Sequence, residues 1–187
     1  MEFFDRTKAI IFSPKKEWNV IEVENESHTK VFFNHLLILA LIPMVTVFVG
    51  LWISQEPTNQ FKDGIFTALR QFVMIVGGAY LTAAIIYGFS EQFGATKNFN
   101  RAFSLVAYSY TPLGVAGLLY FYIPVIWLIP FLGLYGYYLL FLGIEPQLKP
   151  AAEKRALCFI FSLIVMIGVW ALISIGLSEI IKSIIYV

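Results

Sequence analysis

The chain has few charged residues and a single cysteine. Only 13% of its 187 residues are Asp, Glu, Lys or Arg, against roughly 25% in an ordinary soluble domain. A soluble protein distributes its charges at helical spacing so that each helix keeps a hydrated face, and this sequence does not. Cys158 lies alone inside an apolar run, which excludes an internal disulfide and is typical of a small buried residue.

The sequence also lacks the motifs that carry common chemistry. It has no glycine-rich phosphate loop, no paired carboxylates inside an apolar run, and no serine or cysteine nucleophile with a plausible base. His28 and His35 are seven residues apart near the start of the first apolar run, and two histidines alone make a weak metal site. No arginine-rich or aromatic-basic patch indicates nucleic acid. We therefore expect no catalytic residues, no metal, no other cofactor and no nucleic-acid partner.

What the sequence has instead is five long apolar runs, each of about the 20 residues needed to cross a hydrocarbon core of ~30 Å. These runs cover residues 31–53, 65–89, 102–120, 123–142 and 156–177. The charges lie between the runs, with the exception of Arg70 early in the second. The mean hydropathy is +0.77. The pattern predicts an all-α integral membrane protein, a five-transmembrane-helix bundle forming one domain over residues 1–187.

Residues 1–30 precede the first run and mix aromatic with charged residues. Phe4 and Ile11 are seven residues apart and share one helical face. Ser13-Pro14 predicts a helix start, with serine as the N-cap and proline at the first helical position. The pattern is typical of an amphipathic interfacial segment, with its aromatics in the membrane and its lysines toward anionic lipid. A helix packed on the cytoplasmic ends of the spans fits these residues equally well.

The distribution of Lys and Arg predicts the orientation of the spans better than net charge does. With five spans, residues 1–30 and the loops after the second and fourth spans share one side, which then holds ten Lys and Arg. The other side holds two or three. This asymmetry predicts a cytoplasmic N-terminus and a C-terminus on the opposite side.

Polar residues surround a proline in the third run. Pro112 removes one helical backbone hydrogen bond, and irregular backbone at membrane depth is tolerated only where protein or a wet cavity satisfies it. The residues before it could satisfy a kinked backbone or line such a cavity, and two charged residues would flank the cavity's cytoplasmic mouth. Arg70, the charge inside the second run, is a further candidate. The candidate ligand-binding residues are therefore Tyr108, Ser109, Thr111, Pro112, Glu91, Arg101 and Arg70.

Three stretches resemble the Yip (Ypt/Rab-interacting protein) domain family in their order and spacing. Residues 93–112, which include FGATKNF and AYSYTP, resemble the family's signature loop and third span. Residues 11–18, IFSPKKEW, resemble the Ser-Pro-x-x-x-Trp motif of the prokaryotic branch. Residues 134–146, followed by the basic Lys154-Arg155, resemble the fourth span and its exit. The resemblance covers nearly the whole chain.

The resemblance implies a five-helix membrane protein with a cytoplasmic N-terminus, in agreement with the charge count. Eukaryotic members are associated with Golgi and endoplasmic reticulum trafficking, Rab GTPase binding and membrane shaping. This chain lacks their long N-terminal region, lacks their Asp-Leu-Tyr-Gly-Pro element in residues 54–63, and has Ala107-Tyr108 in place of their Gly-Tyr. These departures argue against a Rab-type GTPase partner. They indicate the plasma (bacterial inner) membrane, with the Golgi or endoplasmic reticulum membrane as the alternative for a eukaryotic source.

Two functional hypotheses follow from these observations. In the first, a non-enzymatic membrane protein organises membrane lipids or partner proteins through residues 1–30 and the small-residue faces of its bundle. Its partners are then lipids, another membrane protein or a second copy of the chain. In the second, a small transporter or channel has a polar cavity near Pro112, and five spans without an internal repeat would need to oligomerise.

Overall fold

The computed structural model describes the backbone of residues 2–54, 58–118 and 129–185, and the regular structure within these ranges is entirely helical. The helices are α1 (Phe3–Phe12), α2 (Pro14–Glu24), α3 (His28–Val31), α4 (Leu37–Ser54), α5 (Thr58–Phe89), α6 (Phe99–Ser109), α7 (Thr111–Ala116), α8 (Ile129–Leu148) and α9 (Arg155–Ile185). A π-helical turn, Phe32–Leu36, joins α3 to α4 without a break. Short 3₁₀ turns, Ser90–Phe93 and Ala152–Lys154, follow α5 and precede α9.

Three helical stretches within the described ranges are long and apolar enough to cross a membrane. They are His28–Gly50, Gly64–Phe93 and Ala152–Ser183, and they correspond to the first, second and fifth predicted runs. The third and fourth runs overlap α6, α7 and α8. Residues 119–128, which belong to both of these runs, lie outside the described residues. The all-helical architecture is therefore confirmed for the described residues, with three candidate spans, and the count of five spans stays a prediction.

The third predicted run is divided at Tyr110, two residues before the proline. The Tyr110 amide still donates to the Val106 carbonyl at 3.1 Å, and a new helix, α7, then begins at Thr111. Pro112 occupies the first turn of α7, where its missing N–H costs no helical hydrogen bond. The break therefore lies where proline is tolerated best.

The second of the two N-terminal helices, α2, forms where the sequence predicts a helix start. Pro14 opens α2 directly after Ser13, although the Ser13 side chain makes no capping hydrogen bond. Asn25 ends α2 in the left-handed conformation, with φ of 40°, and its N–H donates to the Ile21 carbonyl at 3.1 Å. Asparagine tolerates this conformation better than most residues.

Helix α6 lies at the centre of the fold, and every residue from Ala102 to Ser109 is buried. It packs against α5 and α8, while α5 also packs against α4 and α9. Close approach depends on small residues, which allow helix backbones to come near one another. A Cβ atom on Gly136 of α8 would lie 2.7 Å from the Ser109 carbonyl oxygen. Helix α2 packs against α8, and α1 packs against α2 and α7.

Candidate functional site

The N-terminal helix pair, α1 and α2, is docked onto the bundle. Ile10 of α1 and Trp18 of α2 are buried, and Trp18 is only 1% exposed. The Trp18 ring meets the Tyr108 ring edge-on at 6.2 Å. The Tyr135 hydroxyl of α8 donates to the Ile11 carbonyl at 2.6 Å. This arrangement corresponds to the second reading of residues 1–30, a helical segment packed on the ends of the spans.

A buried ion cluster holds the two helices of the pair together. Arg6 of α1 is 4% exposed, and its guanidinium donates to the carboxylates of both Glu17 and Glu24 on α2. Its Cζ atom lies 5.9 Å from the centroid of the Tyr108 ring. A buried charge is strongly unfavourable unless it is paired and hydrogen-bonded, and here both conditions are met.

The pairing also favours the charged form of Arg6. Burial alone would lower its pKa, but the facing Tyr108 and the two carboxylates raise the pKa above its ordinary value. The guanidinium therefore stays charged. Two carboxylates surround one cation, so the cluster leaves no positive charge available to an outside ligand.

A second polar contact joins the π-helical turn to the break before α7. His35 is buried, and its Nε2 atom lies 2.8 Å from the Thr111 hydroxyl. Its ring lies 4.6 Å from that of Tyr108 and 5.3 Å from that of Phe3. The Nδ1 atom has no hydrogen-bond partner among the described residues. The His35–Thr111 contact thus ties the first span to the irregular backbone.

The structure brings four of the predicted site residues together around the break. Tyr108 packs between Trp18 and His35, while Thr111 bonds to His35. The Ser109 hydroxyl donates to the Leu105 carbonyl one turn earlier, at 2.7 Å. These residues and Pro112 are buried. The hydroxyls of Ser109 and Thr111 are therefore engaged by protein groups.

The three charged candidates lie in other parts of the fold. The exposed Glu91 pairs with Lys97 at 3.2 Å. Arg101 donates to the Pro146 carbonyl at 3.2 Å and so caps the end of α8. Arg70 donates to the Ser174 hydroxyl at 2.6 Å and joins α5 to α9.

A cavity of about 350 Å³ adjoins Ser109 between α6, α7, α8 and α9. Its lining is largely apolar and includes Leu113, Leu134, Met166 and Trp170. The transporter hypothesis expected hydroxyl groups from Tyr108, Ser109 and Thr111 to line a polar cavity. The observed lining differs from this expectation because two of those hydroxyls bond within the protein.

The outer surface of the helix pair carries large apolar side chains. Phe4 is 81% exposed and Phe12 is 77% exposed, and Val23 of α2 is also exposed. Lys8 and Lys15 are exposed on the same two helices. One face of the helix pair is thus buried in the bundle. The other face presents both aromatic and basic side chains outward.

Sequence reasoning missed the residues that dock this pair, although signals for them exist. Arg6 precedes the buried Ile10 by four positions, so the two share a helical face. Glu17 and Ile21 of α2 are related in the same way. A charged residue on the apolar face of a helix indicates a buried ion pair. The partner could not be identified because the two helices are joined by a turn of unknown geometry.

Comparison with known proteins finds one matching family model and two relatives. The Yip1 domain family model matches residues 8–173. Two relatives, from Escherichia coli strain K12 and from Escherichia coli O6:H1 strain CFT073, are both named inner membrane protein YohC. Each is 30% identical over 155 residues, which cover 75% of this chain and 77% of the relative. No solved structure matches the chain.

Proposed function

The chain belongs to the Yip1 domain family, and we propose that it is a non-enzymatic membrane protein that organises lipids through its N-terminal helix pair. In this proposal the docked pair lies in the headgroup region of one leaflet as a fixed wedge. It separates neighbouring headgroups and gathers anionic lipid around its lysines.

The exposure of Phe4 and Phe12 on a docked element carries the proposal. Transfer of a fully exposed phenylalanine side chain out of water is favourable by about 1.5–3 kcal/mol. The Arg6 cluster and Trp18 fix the helix pair, so these aromatics cannot turn inward. Two exposed aromatic rings on a membrane protein are accommodated readily by the boundary between headgroups and acyl chains.

The exposed lysines support the same placement. Lys8, Lys15 and Lys16 are exposed on the helix pair, and a basic residue near an anionic membrane surface contributes about 1 kcal/mol to binding. Arg6 contributes none of this attraction because its charge is neutralised internally.

The relatives' name supports a location in a bacterial inner membrane. The ten Lys and Arg that would share one side support a cytoplasmic N-terminus. The helix pair then faces the cytoplasmic leaflet. The transport hypothesis expected a polar cavity, and the cavity beside Ser109 is largely apolar. The exposed aromatics therefore give lipid organisation the stronger support.

The proposal is tested by the order of the surrounding lipid. Protein is reconstituted in vesicles containing lipid spin-labelled near the headgroup end of its acyl chain. We expect the wild-type protein to lower the order parameter of this label as protein is added, since a headgroup wedge leaves free volume beneath it. The F4S/F12S variant is expected to lose most of this effect.

The matched control removes exposed apolar side chains from a span instead. Ile164 and Leu172 of α9 are both exposed. The I164S/L172S variant should lower the order parameter of the label near the headgroups as much as the wild type does. Equal behaviour of F4S/F12S and wild type would refute lipid organisation by the helix pair. That result would direct attention to a partner protein as the occupant of the aromatic face.

A further inference from the structure

One face of α8 forms an apolar track that leads toward the helix pair. Leu134, Tyr138 and Phe141 are all exposed and follow one another at intervals of four and three residues, so they share a helical face. Glu145 continues the same face and is also exposed. The track therefore changes from apolar to charged as α8 approaches its end.

A groove of about 760 Å³ opens where this track ends. It lies between α2, the last turns of α8 and the start of α9, and Phe141 and Leu142 form part of its apolar floor. Trp18 also lines it, and the indole nitrogen of Trp18 has no hydrogen-bond partner among the described residues. The groove thus joins the apolar track.

The groove is also lined by three cations and two carboxylates. Lys149 pairs with Glu22 at 2.5 Å, and Arg155 pairs with Glu145 at 2.6 Å. Lys15 has no ion-pair partner among the side chains that the structure describes. Partly exposed ion pairs are weak, so an incoming phosphate can compete for these cations. The excess of one positive charge favours an anion.

We propose that this groove binds an anionic glycerophospholipid. Its phosphate lies among Lys15, Lys149 and Arg155, and one acyl chain follows the apolar track on α8. The inference rests on the proposed function and deepens it, because it names the lipid class that the protein gathers and the place where it binds.

The shape and charge of the groove favour this occupant over others. The volume falls within the usual range for small-molecule sites, about 300–1,000 Å³. A free phosphate would leave the apolar floor and track uncovered. A zwitterionic lipid has no net charge to compensate the excess cation, which Lys15 supplies.

Trp18 provides a direct reporter of occupancy. The variant W52F/W127F/W170F leaves Trp18 as the only tryptophan of the original four. It is reconstituted in phosphatidylcholine vesicles in three separate samples, each with a minor fraction of one brominated lipid. The brominated lipid is phosphatidylglycerol, phosphatidylethanolamine or phosphatidylcholine, and its brominated acyl chains quench tryptophan at short range. We expect phosphatidylglycerol to bind about fivefold more tightly than either other lipid. This factor corresponds to the attraction of about 1 kcal/mol between one basic group and an anionic lipid surface.

Removal of the unpaired lysine should abolish the preference. In the same background, K15Q is expected to bind the three brominated lipids about equally. K97Q is the control, since Lys97 pairs with Glu91 outside the groove and its loss removes the same charge. Native mass spectrometry of the protein with all its tryptophans provides a second measurement, in which retained phosphatidylglycerol should be lost in K15Q and kept in K97Q.

Equal quenching by all three lipids would overturn the inference, and so would phosphatidylethanolamine quenching as strongly as phosphatidylglycerol. A K97Q effect as large as that of K15Q would also overturn it, because a general surface potential would then explain the preference. The lipid-order experiment separates the two proposals. If F4S/F12S abolishes the order effect while no lipid preference exists, only the groove is refuted. A preference without an order effect refutes only the wedge.

Discussion

Replacement of Arg6 by methionine should release the N-terminal helix pair from the bundle. Arg6 and Glu17 are both buried, and Arg6 also bonds to Glu24. The R6M change keeps the aliphatic volume of the side chain but leaves the Glu17 carboxylate buried and unpaired. Loss of one partner from a buried ion pair costs about 3–5 kcal/mol.

A loss of this free energy should open the helix pair to a measurable extent. Because about 1.4 kcal/mol corresponds to a factor of ten in an equilibrium constant, the opening equilibrium of α1 and α2 should rise by roughly a hundredfold to a few thousandfold. Amide hydrogen exchange of residues 3–24, measured by mass spectrometry in lipid nanodiscs, should accelerate accordingly. Exchange in α5 and α9, which do not contact the pair strongly, should change little.

A second variant separates the charge from the shape of the side chain. R6M/E17Q removes both buried charges, and a buried neutral amide without a partner costs far less than a buried unpaired carboxylate. Its exchange should therefore fall well below that of R6M alone. Unchanged exchange in R6M would refute the role of the ion cluster in docking. Equal acceleration in R6M and R6M/E17Q would show that packing, rather than charge pairing, holds the helices.

Two further predictions concern the packing beneath the helix pair. G143A should lower the melting temperature in detergent by an amount equivalent to about 1–3 kcal/mol, because the added Cβ would meet side-chain atoms of α2 and α6 at 2.6 Å. G88A is its control, since a Cβ at Gly88 meets nothing within 4 Å, and equal effects of the two would contradict the packing. T111V should cost about 1–3 kcal/mol by leaving His35 Nε2 without its partner, as measured by the same melting. A T111S variant that retains the hydroxyl should recover most of this loss, and its failure to do so would rule out the hydrogen bond.

The long apolar runs made the membrane architecture predictable from sequence. Hydropathy depends on composition over about 20 residues, so the helices containing residues 31–50, 65–89 and 156–177 could be located without tertiary information. The break before Pro112 was predictable for a similar reason, since proline acts locally on the backbone. Its position at Tyr110, and the start of α7 at Thr111, confirm the interruption.

The polar contacts around the break were not predictable in the same way. Arg6, His35 and Thr111 are distant in sequence, and their contacts depend on how three separate helices pack. Thr111 adjoins Pro112 in the sequence, but its partner on the first span, His35, could not be inferred from spacing. Residues 1–30 fit both an interfacial segment and a docked one for the same reason, since an amphipathic pattern does not show which surface covers its apolar face.

The placement of α1 in the membrane is the central claim, and fluorescence quenching at position 4 tests it most directly. An F4C variant in a C158S background is labelled with the environment-sensitive fluorophore NBD and reconstituted in vesicles. We predict strong quenching by lipids spin-labelled near the headgroup and weak quenching by aqueous iodide. The control is the exposed Glu153, where the E153C label should show the reverse pattern. Iodide quenching at position 4 equal to that at position 153 would contradict the account, and protection from both quenchers would indicate that protein covers this face.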